Sequence, residues 1–230
     1  MYGAPRVLLD LREAGETCSL NRVARLMKEH KIKALRGYKA PRSIVGRPSI
    51  LASNKLQREF SAGGPDKTWA TDITYIRTWQ GWLYLAVVVD LFSRRVVGWS
   101  MKPTLHRSVV LDALLMAVWR RRPKEKVLIH SDQGAPYASR KCRQRIWRYR
   151  MQQIMSRRGS CWDNASIERL LRSRKSEWIP AFGYRSLPEA QRDVADYLMG
   201  YYNEQRPHTF NGGVSPVAAE EKLKILSGIS

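Results

Sequence analysis

Three acidic residues combine an unusual placement with a suggestive spacing. Asp72 lies inside the β-rich run WATDITYI, Asp132 closes the apolar run VLIHSD, and Glu168 sits in SCWDNASIERLLRSRKSEW. Aspartate is depleted from strands, and a carboxylate near a core is costly unless it is paired or binds a metal ion. A hard divalent cation such as Mg2+ takes one or two carboxylate oxygens and keeps water in its other positions. The plain alternative for any one of these acids is a turn cap or a partner for one of the many arginines. A second strand acid, Asp90, ends LYLAVVVD, and periodicity alone does not choose between it and Asp72.

The segment around Glu168 has helical character. Glu168, Arg172 and Lys175 are spaced i, i+4 and i+7, so they share one helix face. A metal-ligating carboxylate on that face would stand beside two cations suited to DNA phosphates. The plain alternative is an exposed i,i+4 ion pair, worth only a few tenths of a kcal/mol. Glu177 is about 180° around the helix from Glu168 at roughly 100° per residue, so it faces elsewhere.

The chain must fold to hold these groups. Its 230 residues suffice for one domain of ordinary size and a small extra one, and 43% apolar content supports a packed core. Against 20 Asp and Glu stand 41 Lys and Arg, a formal net charge of +21. Such an excess attracts polyanions, nucleic acid first among them, though charge alone names no activity. Cys18, Cys142 and Cys161 are far apart, without a CxxC pair, which points away from a zinc site or a disulfide framework and toward a reducing cytosol. No apolar run approaches the ~20 residues that span a bilayer. The N-terminus lacks the basic-then-apolar pattern of a signal peptide.

Residues 5–30 read as two short helices. PRVLLDLREAG has Pro5 at a first helical position and Gly15 as a stop. Ser19 is a suitable N-cap for LNRVARLMKEH, where Leu20, Val23, Ala24 and Met27 form one stripe and Arg22, Arg25 and Lys28 point elsewhere. This is the outline of a helix-turn-helix over residues 1–36, with Arg22, Arg25 and Lys28 as candidate DNA contacts. Residues 37–66 read as a basic linker rich in Gly, Pro and Ser. From 67 to 225 the pattern is a catalytic-size core. TWATDITYIRT, WLYLAVVVDLF and RRVVGWSM predict a three-stranded antiparallel meander joined through WQGW. HRSVVLDALLMAVWRR predicts a helix, VLIHSD a strand, ASRKCRQRIWRYR a basic helix and MQQIMS a fifth strand. That order gives an α/β fold, a mixed five-stranded sheet flanked by helices.

Between Asp132 and Glu168 lie 35 residues, and between Asp72 and Asp132 another 59. Together with the blocks DKTWATDITYI, LYLAVVVDLFSRRVVGW, HSDQGAPYAS, RRGSCWDNASIERLLRSRKSEW and YYNEQRPHTFNGGVSP, this spacing resembles the DDE transposases of the bacterial insertion-sequence-three family. The resemblance is to their integrase-like second reading frame, and it runs over about residues 5–222. It implies an RNase H-like catalytic core and puts the first catalytic acid in TDITYI, with Asp90 a structural neighbour. It further implies two Mg2+ ions, with Mn2+ as a substitute. Asp72 would bridge them, with Asp132 and Glu168 as ligands to one each. Arg172 and Lys175 would contact DNA, as basic residues beyond the glutamate do in retroviral integrases.

The implied partners are DNA, as the element's terminal inverted repeats and its target, at least a second copy of the chain, and a first-reading-frame product. The implied location is the bacterial cytoplasm, at the nucleoid. Leu170 and Leu171 stand where aromatic residues are usual in the family, a change of volume rather than of ligands. Two rival readings are a truncated, non-catalytic repressor that occupies element ends and an RNase H-like nuclease. The intact acid triad speaks against the first, and the N-terminal helices with the YYNEQRPH block against the second.

Overall fold

The computed structural model describes residues 2–34, 63–131, 140–149, 151–155, 167–171, 178–180 and 183–227. The chain forms two compact units, residues 1–61 and 62–230.

In the first unit, α1 (Ala4–Glu13) and α2 (Leu20–Glu29) follow the sequence signals closely. Proline occupies the first turn of α1, and Gly15 beyond its end adopts φ 85°, a conformation glycine reaches without strain. Ser19 caps α2, its Oγ accepting the Arg22 amide at 3.3 Å. The buried stripe is narrower than the sequence suggests. Leu8 and Val23 are buried, whereas Leu20 and Ala24 stay exposed, because two short helices offer each other one narrow seam.

The second unit is built on five strands: β1 (Thr68–Thr78), β2 (Gly81–Asp90), β3 (Val96–Lys102), β4 (Val127–Ser131) and β5 (Met151–Met155). Their spatial order is β3-β2-β1-β4-β5. The first three pair antiparallel, and β4 and β5 add in parallel. The turn between β1 and β2 is tighter than the WQGW joint: only Trp79 and Gln80 lie outside the strands, and Gly81 takes φ 122°. Parallel neighbours need a crossover, which α3 (Arg107–Arg121) provides before β4 and α4 (Arg140–Arg148) before β5. Farther along come α5 (Leu187–Asp196), a π-helix (Tyr197–Gln205) and α6 (Pro216–Ser227).

Both faces of the sheet are covered. On one, Trp69, Ala86, Val88 and Ile129 pack against Val110, Ala113 and Ala117 of α3 and Ile146 of α4. On the other, Ile76, Leu85, Val87 and Val89 pack against Ile167, Leu170 and Leu171, and against Val194, Tyr197 and Tyr202. Each fully buried Val, Leu or Ile contributes about 1.5–3 kcal/mol. Gly98 sets how closely α3 approaches the sheet: a Cβ there would lie 2.3 Å from the Ala113 carbonyl oxygen and 2.8 Å from Ala117 Cβ.

The core starts earlier than the linker reading proposed. Asp66 donates its amide to Asp90 Oδ2 at 2.7 Å and accepts from Arg121 Nε at 2.7 Å, so the end of that basic stretch is fastened to the sheet.

Candidate active site

Asp72 sits in the middle of β1, at the centre of the sheet. Antiparallel pairing sets it opposite Val87, and parallel pairing sets its neighbour Thr71 opposite Ser131, the residue before Asp132. Strand side chains alternate between faces, so Asp72 shares a face with Ile76 and Val87. That is the face covered by Ile167, Leu170 and Leu171. Residues 167–171 are helical, and within them Ile167, Leu170 and Leu171 are buried while Glu168 and Arg169 are exposed. The sheet therefore carries Asp72 and the Glu168 helix on one side. Leu170 and Leu171, the two departures from the family pattern, are core residues here. Asp72 is half-buried, and its Oδ1 accepts the Ile73 amide at 2.7 Å. On the same face His130, register partner of Ala70, is buried at the end of β4.

Asp90 separates cleanly from Asp72. It is the register partner of Trp69, on the α3 face, and no part of it reaches solvent. Its carboxylate accepts the amides of Asp66 (2.7 Å) and Phe92 (2.9 Å) and lies 3.8 Å from Arg121 Nη2. Burial pushes its pKa from 3.8 up to about 6, against the pull of those two amides and with help from the charges of Asp66 and Glu220. This is an acid that fastens a turn. Periodicity did not distinguish it from a metal ligand, because both acids belong to β-rich runs; the family resemblance put the first acid in TDITYI, and the register puts the two on opposite faces.

Around Asp90 runs a charge cluster that sequence reasoning missed. Arg121 donates from Nη1 and Nη2 to Glu220 at 2.8 and 3.1 Å, besides its bond to Asp66. Arg95 Nη1 and Ser93 Oγ each donate to Glu220 at 2.7 Å. Burial opposes the charge on Arg121, yet its hydrogen bonds to Asp66 and Glu220 prevail and hold its pKa above the usual arginine value. Burial likewise opposes the Glu220 charge, and Arg121, Ser93 and Arg95 together hold its pKa below the usual glutamate range. The members come from four separate segments, so no local pattern betrays them.

The residues expected to contact DNA divide in two. Arg22, Arg25 and Lys28 are all exposed on α2, with Arg25 Nε 3.6 Å from Glu29 in an i,i+4 pair. Asp132, Arg172 and Lys175 lie outside the described residues. In YYNEQRPH, Arg206 is nearly buried with its guanidinium 5.8 Å from the Tyr202 ring centre, and His208 meets Tyr202 edge-on at 4.8 Å. Both side chains pack against Tyr202.

Asp72 and Glu168 offer only hard oxygen donors, which suits Mg2+ better than zinc. Among the described residues, no three His, Cys, Asp or Glu side chains stand close enough together to hold a metal ion. None of the described helices is long and apolar enough to cross a membrane.

Known proteins fit this geometry. Two models of an integrase core domain match residues 62–161 and 149–216, and a model of an HTH-like domain matches residues 1–40. The transposase InsF for insertion sequence IS3A of Escherichia coli (strain K12) is 39% identical over 222 residues, covering 96% of this chain and 77% of that one. The transposase for insertion sequence element IS904 of Lactococcus lactis subsp. lactis (strain IL1403) is 34% identical over 209 residues, covering 90% and 83%. In fold, the chain is similar to the HTLV-2 integrase catalytic core domain in its trimeric magnesium complex. The TM-score is 0.50 at 16% identity, over 68% of this chain and 97% of that one.

Proposed function

This chain belongs to the transposases of the insertion-sequence-three family, with an integrase core, and we propose that it cleaves and joins DNA strands at the ends of its element. The observation that carries this reading is the sharing of one sheet face by Asp72 and the Glu168 helix, with Thr71 paired to the residue before Asp132. Asp72, Asp132 and Glu168 are the proposed catalytic carboxylates.

The reaction is two displacements at phosphorus. In the first, water forms a bond to a phosphodiester at the element end and the 3′ oxygen leaves as a free hydroxyl. In the second, that 3′-OH attacks a phosphodiester of target DNA, so one P–O bond forms as another breaks and no cofactor is consumed. Divalent ions bound by the carboxylates, Mg2+ or Mn2+, would neutralise developing charge on both the attacking and the leaving oxygen. The chain's own share is positioning and electrostatics. The paired strands hold Asp72 in place, buried Ile167, Leu170 and Leu171 seat the helix that presents Glu168, and Arg172 and Lys175 are the proposed phosphate contacts beyond it. Arg22, Arg25 and Lys28 are proposed to recognise the terminal repeats. Joining two ends in one reaction calls for at least two copies of the chain on DNA, and the first-reading-frame product is a proposed further partner. Bacterial DNA in the cytoplasm is the proposed setting.

A strand-transfer assay with Mg2+ and the element's terminal repeats tests the reading. Wild-type chain is expected to join ends to target and Glu168→Gln is not. If wild type binds the repeats but joins nothing, the chain is the end-binding repressor. Equal joining by both proteins would rule out Glu168 as a catalytic group.

A further inference from the structure

Away from the carboxylates, the second unit carries a groove of about 480 Å³ between the C-terminal turns of α3 and α4. Trp119, Arg122, Pro123, Lys124, Arg148 and Tyr149 line it, and none of the described lining residues is acidic. The nearest acid in sequence, Glu125, is paired with Lys67. Trp119 is 69% exposed, and Trp147, on the same turn of α4 as Arg148, is 83% exposed. Large exposed tryptophans beside a set of cations are unusual on a surface that serves only solubility.

Arg122 adds an independent sign. It stands just past the end of α3 with φ 46°, the left-handed position that glycine normally takes at a helix end. An arginine there carries backbone strain that glycine would not, and strained residues cluster where a side chain is needed. Complementing the helix dipoles explains cations near these C-termini. It does not explain the strain or the tryptophans.

We propose that this groove binds an unpaired stretch of DNA strand, with Arg122, Lys124 and Arg148 along the backbone and Trp119 stacked on a base. A positive groove with an aromatic platform is how single strands are held without sequence preference. Self-association through this face would set each copy's cations against their own kind, so a polyanion fits better. The groove lies at the strand ends that enter β4 and β5, on the α3 side of the sheet, opposite the face that carries Asp72 and the Glu168 helix. The proposal rests on the reading that this chain acts on DNA.

The test uses the whole chain and a labelled single-stranded oligonucleotide of mixed sequence, with a duplex of the same sequence as the second arm. Affinity is measured across a salt series. The triple variant Arg122→Gln, Lys124→Gln, Arg148→Gln is expected to lower the log–log salt slope for the single strand by about 2, at roughly 0.7 for each phosphate no longer neutralised. Trp119→Ala is expected to weaken single-strand binding about tenfold and duplex binding far less. Arg122→Gly, which relieves the backbone, keeps the fold and is expected to lower the slope by about 0.7. An unchanged slope overturns the proposal, as does equal weakening on both DNA arms. So does a change in sedimentation from dimer to monomer with DNA binding intact, which would make the groove a self-association surface. Active strand transfer with an unchanged slope defeats the groove alone. A wild type that binds single strands through the groove yet joins no ends defeats only the catalytic reading.

Discussion

The carboxamide of Asn203 grips the backbone of Val96 at both polar atoms. Its Oδ1 accepts the Val96 amide at 2.8 Å and its Nδ2 donates to the Val96 carbonyl at 2.9 Å, all of it buried. Val96 begins β3, an edge strand whose outer backbone groups meet no further strand among the described residues. The π-helix presents Asn203 to them as one rung of a missing strand. Asn203→Ala would orphan two buried backbone groups, at about 1–3 kcal/mol each. A loss of roughly 2–6 kcal/mol in urea-induced unfolding is expected on that basis; a negligible change would show that water replaces the side chain.

Gly98 leaves no room for a side chain, since α3 lies against it. The atoms in the way are the backbone of Ala113 and Ala117, which cannot swing aside. Gly98→Ala is expected to cost at least about 2 kcal/mol by pushing α3 off the sheet. An unchanged melting temperature would mean that the helix shifts freely.

Asp90 gives the fold a pH signature. Its folded pKa, about 6, exceeds the ordinary 3.8, so the folded state holds a proton that the unfolded chain releases. Its contribution is fully present below about pH 4 and is lost as pH rises through 6, on the order of 2–3 kcal/mol. Glu220 acts in the other direction, and its contribution is lost as pH falls below the usual glutamate range. Melting temperatures of wild type and Asp90→Asn across roughly pH 4.5–6.5 separate the two. The wild type is expected to lose stability with rising pH relative to the variant, and parallel curves would contradict the burial argument.

Glu168 is exposed, so Glu168→Gln is expected to leave stability within about 0.5 kcal/mol while abolishing joining. Metal binding offers a readout independent of activity. Millimolar Mg2+ is expected to raise the wild-type melting temperature, by linkage to the folded state, and EDTA to reverse it. Asp72→Asn should remove most of that rise. A rise of equal size in the variant would place the metal elsewhere.

Much of this architecture is legible in the chain. The β-branched runs, Pro5, Ser19 and the helical spacing of residues 106–121 each report a local preference, and the structure follows them. The distances between the acids carried the family likeness. What stayed hidden depends on long-range geometry. Asp90 reads like Asp72 until the register assigns them opposite faces. Glu220 looks like one more charge on a late helix until Arg121 is seen beside it. The exposure of Leu20 and Ala24 reflects the lack of surface to cover them, which periodicity cannot report. The π-helix gives no sequence signal that a periodicity of 3.6 would detect.

Arg121 also sets an order of events. It joins Asp66, at the threshold of β1, to Glu220, in α6, 99 residues farther along the chain than itself. During synthesis the early members emerge first, with the bonds of Arg121 to Glu220 still unmade. Only when α6 leaves the ribosome does Glu220 arrive, bringing the partner that Arg95 and Ser93 also need. Until that helix docks, the donors of Arg121, Arg95 and Ser93 lack the acceptor they share.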